Sequence, residues 1–326
     1  MMEITNPIRQ IGDETIEKTL RPQKLEDFVN QERIKEILKI SIESAKKRGA
    51  SLDHILLYGP PGLGKTTLAY IIAKEMGKKI IATSGPALEK KVDLVGILTK
   101  LEDGDILFID EIHRLSKPLE EYLYPAMEDF KIDVIIEPGP NARTIKLNLN
   151  KFTLIGATTR TGLLSSPFKS RFEFEFRLTY YQPEHLKKII MRSAKILGID
   201  IDEEAAFEIA KRSRGTPRIA NRLLKRARDM ALYMSEKKIT KKVAKEMLDK
   251  LGIDENGLCE LDRKILETIV KKYAGGPVGL KTISASVGED PGTIEADFEP
   301  YLLQEGYIQR TQRGRKATQK AFNLFR

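Results

Sequence analysis

The feature that most constrains the fold is the segment 59–66, GPPGLGKT, which lies between an apolar run and a helical pattern. Glycines at this spacing allow successive backbone N–H groups to converge on phosphate oxygens. Lys65 adds a cation for the β- and γ-phosphates, and the Thr66 hydroxyl can ligate Mg²⁺. Because a strand before this loop and a helix after it are its usual context, the segment predicts an ATP site in an α/β fold.

The residues around this loop alternate between strand-like and helical patterns. Short apolar runs occupy 54–59, 78–85, 105–110 and 152–159, and helical patterns such as 66–77 and 119–130 separate most of them. Apolar strands separated by helices predict a parallel sheet covered on both faces. The stretch 133–149 has two alternating runs around a Gly-Pro-rich turn, which predicts a β-hairpin inserted in this core.

The apolar run at 105–110 ends in two adjacent carboxylates, Asp110 and Glu111. Ligands bind at the carboxyl ends of the strands in parallel sheets. Asp110 is therefore predicted to hold Mg²⁺, directly or through water, and Glu111 to orient and polarise the attacking water. His113 is interpreted as a helix-start or packing residue, because three scattered histidines and one cysteine offer no metal-ligand cluster.

The remainder of the chain predicts two further domains. Residues 184–250 are helical in pattern, with Thr216 well placed as an N-cap before Pro217. After a predicted linker at 251–257, three helical patterns precede two apolar runs joined by QRG, the layout of a winged helix-turn-helix. The predicted domains are an ATPase core at 1–181, a small helical lid at 182–252 and a winged helix at 255–326.

Positive charge is concentrated in these later domains. Residues 1–181 carry 27 basic and 26 acidic side chains, residues 182–252 carry 18 and 10, and residues 306–326 carry six basic and no acidic ones. This asymmetry favours a polyanionic partner, although a lysine-rich solvated surface is the alternative. The lone Cys259, the absence of an apolar run long enough to span a membrane and a polar amino terminus indicate a reducing cytoplasm.

Two arginines suggest how ATP cleavage is coupled to assembly. Arg171 follows the helix-breaking Pro167, where it can reach the γ-phosphate bound by a neighbouring subunit, and Arg218 lies just inside a helix from which it can face the nucleotide. Arg222 and Arg226 share the helical face of Arg218 and are interpreted as a solvated or interface stripe.

These motifs resemble the AAA+ family and, within it, the RuvB family of Holliday-junction branch-migration motors. The resemblance covers nearly the whole chain and rests on segments 20–31, 59–67, 106–115, 121–130, 153–172, 180–186, 215–229 and 306–318. The last two segments distinguish this family from other AAA+ proteins. The resemblance implies an ATP-driven motor that pumps duplex DNA in homologous recombination and DNA repair, including the SOS response to DNA damage.

The resemblance also implies roles for individual residues. The residues implied to contact ATP are Leu20, Arg21, Gly62, Leu63, Gly64, Lys65, Thr66, Thr67, Tyr181 and Arg218, with Glu128, Asp129 and Phe130 at the boundary with the adjacent subunit. Thr158 or Thr159 would be the polar sensor near the γ-phosphate, and Arg171 the finger offered in trans. In the wing, Arg310 and Arg315 would contact the DNA backbone.

The implied partners are double-stranded DNA at Holliday junctions and a RuvA-like junction-binding protein docked on the hairpin at 133–149. A RuvC-like resolvase is a further possible partner, and self-assembly into a hexameric ring is implied as well. Several residues depart from the family pattern. Asn30 replaces a usual glycine, Glu137-Pro138 a usual Gly-Gln, and Lys169, Ser170 and Glu173 alter the surroundings of the finger.

Two other functions fit part of the pattern. A clamp loader shares the ATPase motifs, but it is expected to carry a helical collar in place of the basic wing. A nucleotide-switched DNA-binding module, such as an origin initiator that does not translocate, could keep every motif. Turnover stimulated by branched DNA would distinguish a motor from such a switch.

Overall fold

The structure is a computed structural model that describes residues 4–6, 19–135 and 144–325. The described residues form two compact units, one at Arg21–Tyr180 and one that joins the residues from Tyr181 onward to those before Arg21. No helix within these described ranges has the length and hydrophobicity needed to cross a membrane.

The first unit is built on a five-stranded parallel sheet, as the sequence predicts. The elements of this unit are α1 (Glu32–Arg48), β1 (Ile55–Tyr58), α2 (Lys65–Met76), β2 (Ile80–Ser84), α3 (Lys91–Leu98), β3 (Ile106–Asp110), α4 (Lys117–Glu128), β4 (Lys131–Ile135), β5 (Thr144–Asn148), β6 (Thr153–Thr158), α5 (Ser166–Lys169) and β7 (Phe174–Arg177). The strands of the sheet lie in the order β2-β3-β6-β1-β7, and every residue of β6 is buried.

The edge strand β7 is absent from the sequence-based prediction. It pairs in parallel with β1 and so flanks the strand that leads into the glycine-rich loop. Its alternation of phenylalanine and charged residues is typical of a half-exposed edge strand, whereas the other strands of the sheet were recognised by their apolar runs.

The predicted hairpin is present. Strands β4 and β5 pair antiparallel, with Lys131 opposite Asn148 and Ile135 opposite Thr144. The turn between them, which includes Glu137-Pro138, lies outside the described residues.

The backbone conformation at position 30 explains why asparagine can replace the glycine that is usual in the family. Asn30 has a φ of 65°, in the left-handed region where glycine is most at ease, and Gln31 follows with a φ of 62°. Asparagine tolerates this conformation better than most other residues. Gln31 then donates to the carbonyl oxygen of Thr179 at 2.8 Å, which ties this turn to the end of the sheet domain.

The second unit begins with four helices, α6 (Pro183–Ile196), α7 (Glu203–Lys211), α8 (Pro217–Tyr233) and α9 (Lys241–Lys250). Thr216 holds the predicted N-cap position, but its hydroxyl donates to the carbonyl oxygen of Arg214 and caps nothing. The interpretation of Arg222 as part of a solvated or interface stripe is wrong, because Arg222 is buried and donates to the carbonyl oxygen of Asn6 in its own chain. Arg226 does lie at the surface, paired with Asp229.

A winged helix-turn-helix completes the unit, as predicted. Its core packs Ile265, Phe298 and Tyr307 together with other apolar side chains. Its elements are α10 (Glu260–Glu267), which continues as a π-helical turn, α11 (Leu280–Val287), α12 (Pro291–Thr293), α13 (Glu299–Gln304), the antiparallel pair β8 (Ile308–Thr311) and β9 (Gly314–Ala317), and α14 (Gln319–Asn323). Cys259 is a buried thiol that precedes α10.

The segment between helical lid and winged helix is held by buried arginines. Arg214 is 3% exposed, donates to the carbonyl oxygen of Gly257 at 3.0 Å and pairs with Asp262, which is fully buried in the first turn of α10. Its guanidinium lies 4.8 Å from the ring centroid of Tyr301. Arg212 donates to the carbonyl oxygen of Ile253 at 2.9 Å. The predicted linker is therefore irregular in structure but fixed at both ends.

Candidate functional site

The glycine-rich loop follows β1 and has the backbone of an anion-binding turn. Gly59, Gly62 and Gly64 have φ values of 136°, 77° and 98°. A Cβ on Gly59 would lie 2.5 Å from the carbonyl oxygen of Leu178, so a larger residue is excluded there by backbone as well as by conformation. The loop ends where α2 begins, and N–H groups at a helix N-terminus favour negative charge.

Lys65 is held inside this loop. It is the first residue of α2, is 7% exposed, and donates from Nζ to the carbonyl oxygens of Gly59 and Pro60, each at 2.8 Å. These contacts fix its ammonium group over the same loop whose N–H groups would bind phosphate. Leu63 is fully buried and anchors the middle of the loop.

Thr66 and Asp110 converge from α2 and β3. The Thr66 hydroxyl lies 3.3 Å from Asp110 Oδ2, and Asp110 Oδ1 accepts a hydrogen bond from the backbone N–H of Glu111 at 2.9 Å. A hydroxyl and a carboxylate fit Mg²⁺, which prefers oxygen ligands and usually keeps several waters and substrate phosphates. Among the described residues no cluster of three or more His, Cys, Asp or Glu side chains could hold a metal by itself.

Glu111 begins the 3-10 turn Ile112–Arg114 that follows β3. It adopts a left-handed conformation, with a φ of 47°, a strained state for a non-glycine residue. Its side chain is about half exposed and pairs with Arg114 at 3.2 Å. The Asp110 carboxylate contacts Thr66 whereas that of Glu111 pairs with Arg114, so the two adjacent acids have different surroundings and can take different roles.

Of the two candidate sensor residues, Thr158 is buried at the end of β6 and Thr159 is exposed. Thr158 Oγ1 lies 2.9 Å from His113 Nδ1 and accepts from the backbone N–H of Arg160 at 2.9 Å. His113 does lie in the 3-10 turn Ile112–Arg114, but its interpretation as a helix-start or packing residue missed this polar contact. No signal in the sequence could reveal it, because the two side chains are 45 positions apart.

Arg171 follows α5 and is held by groups of its own chain. Its guanidinium lies 4.0 Å from the ring centroid of Tyr124, pairs with Glu128 at 3.2 Å and donates to the carbonyl oxygen of Pro167. The structure thus brings together Arg171 and Glu128, two residues that the family resemblance implies at a subunit boundary. Ser170, one of the departures near Arg171, also donates to the Pro167 carbonyl, at 3.0 Å.

The two residues after Glu128 occupy different surroundings. Asp129 ends α4. Phe130 has a φ of 53° and packs its ring 5.8 Å from that of Phe152 and 6.4 Å from that of His54. Phe130 therefore contributes to an aromatic cluster, and its implied contact with ATP stays a prediction.

The implied ATP contacts outside the glycine-rich loop are divided between the two units. Arg21 lies in the first unit, with its guanidinium 4.1 Å from the ring centroid of Tyr70. Leu20, Tyr181 and Arg218 lie in the second. There the backbone N–H of Tyr181 donates to Gly215 at 2.9 Å, and Arg218 occupies the first turn of α8.

The wing arginines share two acidic partners. Arg310 and Arg315 both pair with Glu295 and with Glu299, and Arg315 lies 2.8 Å from Glu299 Oε1. Glu299 is 1% exposed. Although burial opposes its ionisation, hydrogen bonds from both arginines hold the pKa of Glu299 below its ordinary value. Arg310 remains about half exposed, whereas Arg315 is mostly covered.

Three family models match consecutive parts of the chain. The Holliday junction DNA helicase RuvB P-loop domain matches residues 20–178, the RuvB AAA lid domain residues 181–254, and the RuvB C-terminal winged helix domain residues 255–326. Together these matches leave only residues 1–19 and the two residues 179–180 of the chain unassigned.

Proteins of similar sequence and structure agree with these models. Holliday junction branch migration complex subunits RuvB from Chlorobium chlorochromatii and Myxococcus xanthus are each 56% identical to the chain, over 99% and 96% of it and 92% of their own length. The solved structure of the Thermotoga maritima RuvB Holliday junction branch migration motor is 50% identical, with a TM-score of 0.84 over 94% of this chain and 98% of its own.

Proposed function

Since this chain belongs to the RuvB family of AAA+ proteins, we propose that it is an ATP-driven motor that moves duplex DNA to branch-migrate Holliday junctions. The observation that carries this proposal is the convergence of Thr66 and Asp110 at 3.3 Å beside Lys65, in a chain that ends in a winged helix. A clamp loader would need a collar where this chain matches a winged helix.

In the proposed reaction Lys65 and the loop N–H groups bind the β- and γ-phosphates. Glu111 orients a water for attack on the γ-phosphorus and accepts its proton as the bond from phosphorus to the bridging oxygen breaks. ADP and inorganic phosphate are the products. The Asp110 carboxylate contacts Thr66 while the half-exposed Glu111 carboxylate pairs with Arg114, and these different contacts support this division of roles.

Thr66 and Asp110 are the residues that would hold Mg²⁺. When bound, the ion neutralises charge on the phosphate oxygens as it develops. Because one hydroxyl and one carboxylate leave most of the coordination sphere to water and phosphate, we expect the chain to need nucleotide for firm Mg²⁺ binding.

We infer that Arg171 is an arginine finger that completes the ATP site of an adjacent subunit. The family resemblance implies that the subunits form a hexameric ring. The pairing of the partly covered Arg171 with the exposed Glu128 supports a subunit boundary at this place. Leu20, Arg21, Tyr181 and Arg218 are proposed as further nucleotide contacts, and Glu128, Asp129 and Phe130 as contacts at the boundary. The ranges of the three family models support the proposed division into core, lid and winged helix.

The proposed partners follow the same resemblance. Duplex DNA would bind the wing through Arg310 and Arg315, and a RuvA-like protein would bind the hairpin formed by β4 and β5, where Ile145 is exposed. A RuvC-like resolvase would act on the same junction. The proposed site of action is the cytoplasm, in recombination and repair. Strand separation, as opposed to branch migration, is part of this proposal and needs its own measurement.

The function is tested with a synthetic four-way junction, with and without a junction-binding partner. We expect ATP-dependent conversion of the junction into two duplexes, and no conversion by Lys65→Ala, which removes the ammonium group from the phosphate loop. Junction binding with ATP turnover but without conversion would instead indicate a stationary initiator. If the protein shows no ATPase activity in the presence of the junction and the partner, the proposed motor function is wrong.

The wing contacts are tested by Arg310→Ala and Arg315→Ala. We expect each change to weaken DNA binding to a similar extent on all sequences and to lower the salt dependence of binding by about one unit of slope, because phosphate contacts release counterions. Arg226→Ala is the matched control, since Arg226 is an exposed arginine outside the wing. Wild-type affinity and slope in both wing variants would exclude the wing from the DNA interface. A thermal melt separates this effect from loss of the Glu299 contacts.

A further inference from the structure

One buried carboxylate is shared by the two wing arginines. Glu299 is the first residue of α13 and is 1% exposed. Its Oε1 accepts from Nε of Arg310 at 3.0 Å and from Nε of Arg315 at 2.8 Å, and its Oε2 accepts from Nη2 of each arginine at 2.9 Å. Each guanidinium group therefore forms a bidentate pair with the same side chain.

The two arginines would repel each other without this partner. Arg310 and Arg315 lie directly opposite in the antiparallel pair of β8 and β9, where like charges are destabilising. Burial opposes the ionisation of Glu299, but hydrogen bonds from both arginines outweigh it and hold its pKa below the ordinary value. The Glu299 carboxylate is thus the counter-ion that allows two guanidinium groups to lie side by side.

Glu295 contacts the same two arginines but, unlike Glu299, is half exposed. Its Oε1 lies 3.0 Å from Nη2 of Arg310 and 3.4 Å from Nη2 of Arg315. The Arg310 side chain is 52% exposed, and its Nη1 makes no hydrogen bond to any residue that the structure describes. A DNA phosphate can therefore reach Arg310, but it has to compete there with the Glu295 carboxylate.

The segment that carries both glutamates has the wrong charge for a DNA groove. The second helix of a helix-turn-helix usually lies in the major groove. That place is taken here by α12, the π-helical turn after it and α13, and the segment 289–305 around them has six acidic side chains and no basic one. Because DNA phosphates repel such a surface, these carboxylates are better suited to act on the wing arginines than on DNA.

We propose that Glu299 is a positioning residue for DNA binding, which holds the wing arginines in place for a phosphate, and that Glu295 competes with that phosphate. The inference rests on the proposed contact of the wing with DNA and adds two residues that act through the arginines. Side chains that are already ordered lose less entropy on binding, so Glu299 strengthens the interaction with DNA. Glu295 weakens it, because DNA has to displace an ion pair.

Equilibrium binding of the full chain to labelled linear duplex DNA, without ATP hydrolysis, tests both effects. In Glu299→Gln we expect binding to weaken by about 5- to 100-fold, because one amide oxygen cannot replace both carboxylate oxygens and the two arginines lose their fixed position. In Glu295→Gln we expect binding to tighten by about 2- to 5-fold at low salt, the range for a surface ion pair, and to lose this gain as salt is added. Each change removes one negative charge, so a general charge effect would tighten binding in both variants.

Two further variants separate positioning from charge and from folding. Glu299→Asp keeps the charge but is one methylene shorter, so it should weaken binding by at least about threefold. It takes the place of Glu299→Gln if a thermal melt shows that the latter is unfolded. Glu267→Gln is the matched control, because Glu267 is a half-exposed glutamate of the winged helix that pairs with Lys271, and its affinity should stay within about twofold of wild type.

A double-mutant cycle completes the test. With Arg310→Ala and Arg315→Ala combined, Glu299→Gln should weaken binding by less than about twofold further, because Glu299 acts through these arginines. Unchanged or tighter binding in the Glu299 variants, unchanged or weaker binding in Glu295→Gln, or a full further loss in the background without the arginines would each overturn the proposal. If the arginine substitutions themselves leave DNA affinity unchanged, the proposed wing contact is wrong instead.

Discussion

Arg171→Ala is expected to lower ATP turnover by about 10³- to 10⁵-fold, the range for loss of a finger that stabilises charge on a transferring phosphoryl group. Nucleotide affinity should change little, because the Lys65 loop that is proposed to bind the phosphates lies elsewhere in the chain. The measurement is steady-state ATPase with junction DNA, together with direct ADP binding. Arg48→Ala is a matched control, since Arg48 is an exposed arginine at the end of α1.

Mixing distinguishes a finger that acts in trans from one that acts in its own subunit. Subunits with Arg171→Ala keep an intact phosphate loop, and subunits with Lys65→Ala keep an intact finger. A mixture of the two should recover part of the activity that neither variant has alone, at boundaries where the intact halves meet. Normal hydrolysis by pure Arg171→Ala would contradict the assignment of the finger. A mixture as inactive as its components would contradict the shared site.

Glu111→Gln is expected to lower turnover by about 10²- to 10⁴-fold, the contribution of a positioned general base. The amide keeps the size of the side chain but cannot accept the proton from water. Because Lys65, Thr66 and Asp110 are unchanged, ATP should still bind, and single-turnover experiments should find it bound and uncleaved. Glu121→Gln, an exposed glutamate on α4, is the control. Near-normal turnover in Glu111→Gln would show that another group is the base.

The sequence was sufficient for the parts of the site that are local in the chain. The phosphate loop and the Asp110-Glu111 pair each follow an apolar strand, and the sheet brings Thr66 within 3.3 Å of Asp110, as expected at one edge of parallel strands. The winged helix was also predictable, because three short helices and a hairpin follow one another without insertion.

Contacts between distant side chains were not predictable in this way. Glu299 lies 11 and 16 positions from the wing arginines that it pairs with, and nothing in its neighbourhood marks it as buried. Arg222 has the periodicity of an exposed stripe, yet Asn6, more than two hundred positions away, covers it. Hydrophobic periodicity predicts which face of a helix is apolar. It does not predict whether a long polar side chain reaches a distant carbonyl oxygen and becomes buried there.

The buried pair of Arg214 and Asp262 has a mechanical consequence for a machine of this kind. Removing one partner from a buried ion pair costs about 3–5 kcal/mol, so we expect a motion that separates Arg214 from Asp262 to be costly. A rotation of one part of a protein reaches another part only if the connection between the two does not bend. We therefore expect a rotation of the first turn of α8 to carry α10 with it, and bending to occur at other places in the chain.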